Sequence, residues 1–264
     1  MLKTLASLSA FLAASSAFAF DFSAADALFA KRGEGDQLTN TRSARQAYGT
    51  ALSQVSGHEL MHAVSQMNRL DFFEGMVITN NEAKKAMFEA CSDRTEKLDH
   101  AVVEYYYWKG VCLASWASAN GILSSLRRSG EVESYLLKGR SLDARFEGGG
   151  FDRVLAFVYL RVPPINPMGP TRDVKKALAV AEAAIASSAY PGEPDPSTST
   201  GEYFYNVYGV KAEILADLGR KAEAIATLQE AIERIEQGDL PVGREPETVL
   251  ILRDLKNLLT EIQK

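Results

Sequence analysis

Apolar residues recur at three- and four-residue spacing along almost the whole chain, and no stretch sustains the alternation of a half-buried strand. The pattern predicts an all-α fold. Glycine, proline and short polar clusters cut the periodic runs into pairs: 22–37 with 39–54, 57–75 with 80–98, 101–123 with 130–142, 150–162 with 172–188, and 201–219 with 220–235. A last run over 246–262 stands alone. Paired helices of this length are the unit of a tetratricopeptide-like helical-pair solenoid, here about five antiparallel pairs plus a C-terminal capping helix.

The fifth pair carries the pattern most plainly. Ala212, Leu215, Leu218 and Gly219 are followed by Ala224, Leu228 and Ala231. The small residues let two helices approach, Gly219 opens the turn, and Leu228 with Ala231 packs on the neighbouring pair. Ala83, Met87 and Ala90 repeat the pattern in degenerate form. In the closing helix Leu250, Leu252, Leu255, Leu258 and Leu259 stand among charges, as suits a cap.

With 264 residues, 46% of them hydrophobic, the chain can bury a sizeable core or a stack of smaller ones. Residues 1–19, MLKTLASLSAFLAASSAFA, combine Lys3, a short apolar run and Ala17-Phe18-Ala19. They read as a secretory signal cut before Phe20, leaving 20–264 as a single domain. The alternative is a poorly buried first helix, since the run is too short to span a membrane. No later stretch is long and apolar enough to span one either. The mature protein is therefore expected to be soluble in the periplasm or secreted. Without Lys3 it holds 28 basic residues against 34 acidic ones, a balance that gives no reason to expect nucleic acid.

Cys91 and Cys112 are the two cysteines. An exported location allows them to oxidise. They fall in successive helical runs separated by a tight turn at Asp99-His100, and antiparallel packing would bring them to similar heights. The same positions suit two small buried thiols.

His58-Glu59-Leu60-Met61-His62 is the zinc-peptidase pattern, with Glu82 placed downstream like a third ligand. Histidines four apart share a helical face and can hold one zinc while the intervening Glu activates water. The surroundings argue otherwise. Leu60, Ala63, Val64, Met67 and Leu70 form one apolar stripe, which places His58 and His62 opposite it beside Ser65 and Arg69. Arg69 would set a cation near the metal, no strand run precedes the helix, and Glu82 fits the polar start of the next one. Solvated histidines on a repeat helix are the expectation, with His58, His62 and Glu82 as the metal site of the peptidase alternative.

One long stretch resembles a known family. Tyr107-Trp108 with Trp116, Leu142-Asp143, the glycine run 148–150, Val162-Pro163, and Gly169 leading to Lys176-Ala177 are similar to the T component family associated with TRAP transporters and its tetratricopeptide-like relatives. The resemblance covers the middle and end of the chain. It implies a periplasmic helical scaffold that binds a small ligand or engages a substrate-binding protein of an uptake system, in some members as a trimer. Lipoprotein members carry a cysteine at the cleavage site, and this chain has none there.

In a solenoid the first helix of each pair lines the concave face. Here that face is expected to include Tyr105, Trp108, Trp116, Arg153, Tyr159, Tyr205 and Tyr208, a set that suits a peptide or an organic anion where it is not simply packing. Gly148 to Gly150 are expected to allow a close helix entry, and Pro163, Pro164, Pro167 and Pro170 to hold an extended crossing. The stretch 187–202, rich in Pro, Ser and Thr, reads as an insertion. No phosphate loop or activated nucleophile is present in the sequence, and no cofactor is implied. A non-enzymatic binding scaffold, open to a protein partner, a small organic ligand or a second copy of itself, is the expectation set against the zinc peptidase.

Overall fold

The computed structural model describes residues 20–121, 125–188, 205–241 and 243–264. Residues 1–19, expected above to be a secretory signal, and most of the Pro/Ser/Thr-rich stretch lie outside them. Among the described residues the chain forms helices and no strand: α1 Ser23–Ala30, α2 Gln37–Ala51, α3 Gly57–Val77, α4 Asn81–Thr95, α5 Val103–Asn120, α6 Leu126–Leu142, α7 Phe146–Arg161, α8 Val174–Ser188, α9 Asn206–Asp217, α10 Lys221–Glu236 and α11 Glu245–Gln263. Each helix packs on its sequence neighbours, and the odd-numbered helices α3, α5, α7 and α9 also touch one another. That is the serial arrangement of a solenoid. Among the described residues no helix is long and apolar enough to cross a membrane.

Local chemistry sets the boundaries. Asp36 caps α2 by accepting from the Leu38 amide, and Asn80 caps α4 by accepting from the Ala83 amide. Cys91 on α4 and Cys112 on α5 are joined in a disulfide with Cα atoms 5.7 Å apart. Both are buried. At the junction of α2, α3 and α4, Asp71 pairs with Arg45 at 2.7 Å and Arg94 at 2.8 Å. Glu74 pairs with Arg45 and Arg42 at 2.6 and 3.0 Å. Burial pushes the Asp71 carboxyl above its ordinary value, against the pull of both arginines.

The entry to α7 departs from regular helix. Glu147, Gly148 and Gly149 take left-handed φ values of 52, 58 and 74°. At Gly149 a Cβ would stand 3.0 Å from both the Cα and the carbonyl oxygen of Ala184 on α8. Glycine is required there for conformation and for space. Small residues Ala177, Ala181 and Ala184 on α8 continue the close approach to α7.

The proline-rich connection 162–173 differs from the extended crossing that its prolines suggest. It folds back on itself, with the Arg172 amide donating to Pro163 O at 3.0 Å and the Asp173 amide to Tyr159 O at 3.2 Å. Asn166 holds the turn by donating to Pro170 O at 2.9 Å and to Ser129 Oγ on α6 at 2.8 Å. Gly130 on α6 and Gly169 in the loop meet there, and a Cβ on either would come within 2.5 Å of the other segment's backbone.

The two ends of the solenoid meet. Arg32, just after α1, is buried against Glu247 in the first turn of α11 and also donates to Gly243 O at 2.5 Å. The last helix therefore packs on α9 and α10 and also reaches the first repeat.

Candidate functional site

The helices that open successive pairs surround a cavity of about 320 Å³. Arg69, Phe72 and Met76 enter it from one face of α3, at i, i+3 and i+7. Trp108, Val111 and Ser115 enter from α5, Arg153, Val154 and Phe157 from α7, and Asn206 with Val210 from α9. Lys84 and Phe88 come from α4, and Arg244 from the residue before α11. A second hollow of about 460 Å³ adjoins it and shares Ala114, Ser118 and Phe157 with it.

The floor is built around one carboxylate. Glu147 is buried and accepts from Arg69 and, at 2.7 Å, from Arg244. Arg153 donates to the Glu147 carbonyl at 3.1 Å and to the Tyr107 hydroxyl at 3.2 Å. Burial alone would raise the Glu147 carboxyl. The charges of Arg69 and Arg244 outweigh it and hold the group at about 2. Burial pushes the Tyr107 phenol up, so it faces Arg153 as a neutral hydroxyl. One ionised carboxylate thus stands behind three guanidinium groups that front the cavity. The left-handed turn at 147–149 aims the Glu147 side chain inward, and Arg153, one turn on, fastens that turn through its carbonyls.

Above this floor the walls are apolar. Phe72, Met76, Phe88, Val111, Val154, Phe157 and Val210 leave a cleft with hydrocarbon sides and a cationic base, with Lys84 at the α4 edge. Among the described residues no Asp or Glu lines it. The arrangement can hold an organic anion by its charged end and shield its apolar part from water.

Two of the seven expected concave residues, Trp108 and Arg153, are in the wall. Trp108 is itself oriented by donating from Nε1 to Ser65 Oγ at 3.1 Å. The other five serve packing between helices. Tyr105 is buried beside His100, with ring centroids 4.0 Å apart. Trp116 lies under Arg128, Tyr159 donates to Glu133 at 2.7 Å beneath Lys176, and Tyr205 sits against Tyr208 and Arg234. Sequence reasoning missed Glu147, Lys84, Phe157, Asn206 and Arg244. Arg69 had a signal, since it lies off the apolar stripe of α3, but that face turns toward the cavity and not toward solvent.

The histidine motif is placed differently from its expected solvated face. His58 is exposed, but His62 is half-buried between the rings of Phe22 and Tyr48, at 5.0 and 5.9 Å, with Nε2 3.1 Å from Asp26 Oδ1. Phe22, just before α1, and Tyr48 on α2 supply that cover, and Asp26 on α1 supplies the polar partner. Glu82 pairs with Lys85 on α4 at 2.7 Å. Among the described residues no three His, Cys, Asp or Glu side chains gather as a metal-holding group, His58, His62 and Glu82 included.

No family model matches the chain, and no curated protein matches it.

Proposed function

We propose that the chain is an exported tetratricopeptide-like scaffold that binds a small amphipathic organic anion in the cavity between α3, α5, α7 and α9. One observation carries the reading: in a chain of net charge -5, the cavity wall takes Arg69, Arg153, Arg244 and Lys84 and no carboxylate among the described residues. Cations held at the base of an apolar cleft attract an anion by charge and orient it by hydrogen bonding, while hydrocarbon walls reward an apolar body. Delivery to, or exchange with, a substrate-binding protein of a TRAP-type uptake system belongs to the same proposal and rests on the resemblance of the middle and end of the chain.

Calorimetric titration of the purified chain with octanoate and with octanamide tests the anion reading. Octanoate should bind and octanamide should not. Arg244→Gln or Lys84→Ser should weaken octanoate by about tenfold, the value of one charged contact. Equal binding of acid and amide, or no binding of either, overturns it.

A further inference from the structure

Glu59, the acid between the two histidines of the His58-Glu59-Leu60-Met61-His62 motif, takes no part in the cavity. Its Oε1 instead accepts the backbone N–H of Phe20 at 2.8 Å. Phe20 is the residue that follows Ala17-Phe18-Ala19, the expected cleavage signal. We propose that Glu59 is the seat of the mature N-terminus: hydrolysis of the Ala19–Phe20 bond turns this contact into an ion pair between the Phe20 α-ammonium and the Glu59 carboxylate. The proposal rests on the export reading given above.

In the processing step a leader peptidase directs water at the Ala19 carbonyl carbon. The bond to the Phe20 nitrogen breaks, the water oxygen joins Ala19, and the two water protons pass to the nitrogen. Ala19 leaves as a carboxylate and Phe20 starts the chain as an ammonium group. The nitrogen keeps its place while its charge and its number of donors change.

The surroundings hold that nitrogen in position. The Phe20 ring lies tilted against Phe22 at 4.8 Å, and the Phe22 ring rests on Tyr48 of α2 and His62 of α3 at 5.8 and 5.0 Å. The Tyr48 hydroxyl and His62 both meet Asp26 of α1. Glu59 lies in the first turn of α3, where an acid complements the helix dipole. The bond from the Phe20 N–H to the Glu59 carboxylate is already charge-assisted on the acceptor side, and cleavage adds the opposite charge on the donor, which at a part-exposed site contributes a modest further attraction. Leader removal thus fastens α1 to α3 and completes the docking of the first repeat.

The pH dependence has a defined sign. An α-amino group ordinarily titrates at about 7.7 to 8.0, and a carboxylate partner raises that value in the folded state. The added stability is therefore full below that range and is lost as pH rises through the raised value. Asp26, Tyr48 and His62 meet in this corner, and Asp21 and His58 adjoin Phe20 and Glu59 along the chain, so the comparison must hold them constant.

Four proteins do so: residues 20–264 beginning at Phe20, the same chain behind a Gly-Ser-Gly-Ser extension, and both again with Glu59→Gln. Melting is followed from pH 6 to pH 10. The chain beginning at Phe20 should melt about 2 °C above the extended one at pH 7. That difference should vanish by pH 10 and be missing from the Glu59→Gln pair. Equal melting at pH 7, or a difference that survives Glu59→Gln, overturns the seat. A readout independent of stability is the rate at which an amine-reactive ester acylates the α-amine at pH 8. It should be slower in the native chain than in Glu59→Gln, and equal rates overturn the proposal. The mass of protein recovered from the periplasm tests processing separately. A first residue other than Phe20 overturns the cleavage assignment, and an intact leader on cytoplasmic protein overturns the export reading itself.

Discussion

The guanidinium of Arg32 meets the carboxylate of Glu247 across 215 residues of chain, with Nε at 3.0 Å from one oxygen and Nη2 at 2.6 Å from the other. Both side chains are 1% exposed. A bidentate pair in that position is specific in geometry, and either group left alone would be a buried unpaired charge. Glu247→Ala should therefore destabilise the protein by about 3 kcal/mol. Arg32→Met combined with Glu247→Leu should recover most of the loss, as denaturant melts would measure.

Glu147 gives a second, pH-dependent test. Its carboxyl is held at about 2 in the folded protein against an ordinary 4.5. The stability it contributes is present above the ordinary value and is lost as pH falls from about 4.5 toward 2. Glu147→Gln should remove that part of the acid transition and cost about 3 kcal/mol at pH 7, since Arg69 and Arg244 lose their shared acceptor. Melting curves from pH 7 to pH 2 would check both.

Gly149→Ala should destabilise the junction of α7 and α8. The new Cβ would meet Ala184 backbone at 3.0 Å while φ stands at +74°, a combination expected to cost about 1 to 3 kcal/mol. Hydrogen exchange should show the loss first in α8.

The two motif histidines should separate. His58→Ala removes an exposed side chain and should change stability by less than about 0.5 kcal/mol. His62→Ala strips a ring from between Phe22 and Tyr48 and a partner from Asp26. A loss of about 1 kcal/mol follows from the hydrogen bond alone. Chemical denaturation of each single variant distinguishes them.

Reduction of the Cys91–Cys112 bond should release α4 from α5. Cysteine-to-alanine replacement of both should lower stability by about 3 kcal/mol, the order expected for a closed loop of this size. Because Lys84 and Phe88 ride on α4, octanoate affinity should weaken in the same variant.

The helices were legible because their apolar residues keep one period from Ala25 to Leu255, and because Gly219 and the glycine run fall at breaks in it. The expected start of the α9 run at 201 lies outside the described residues, and Asn206 opens the helix. α6 begins at Leu126, four residues before its expected start. Boundaries of this kind depend on tertiary contacts that outweigh local preference. Pro163 and Pro164 suggested an extended crossing because proline fixes only its own φ. Asn166 bends the segment by bonding both Pro170 O four residues on and Ser129 Oγ on α6, and Arg172 holds its end to Leu160 O on α7.

The candidate site was legible in outline and not in detail. The first helices of the pairs do face the cavity, so Trp108 and Arg153 could be named. Aromatic spacing did not separate them from Tyr105 or Tyr159, since a ring packed between two helices and a ring facing a cleft obey the same periodicity. Glu147 and Arg244 lie at helix entries, outside any periodic stripe. Their meeting depends on a left-handed turn and on the return of the last helix, neither of which leaves a local pattern.

That return governs the order in which the protein can assemble. An open repeat array folds outward from any nucleus, because each unit needs only its neighbours. Here Arg32 must wait for Glu247, and Glu147 for Arg244, so the first and middle repeats form before their last partners are in place. Contacts of such long sequence separation slow the final step of folding, and until α11 arrives the early repeats keep buried charges open to water. Truncation of the last helix should thus leave early intermediates whose first repeat exchanges amide hydrogens freely and whose α9 and α10 faces, covered by α11 in the complete fold, are exposed.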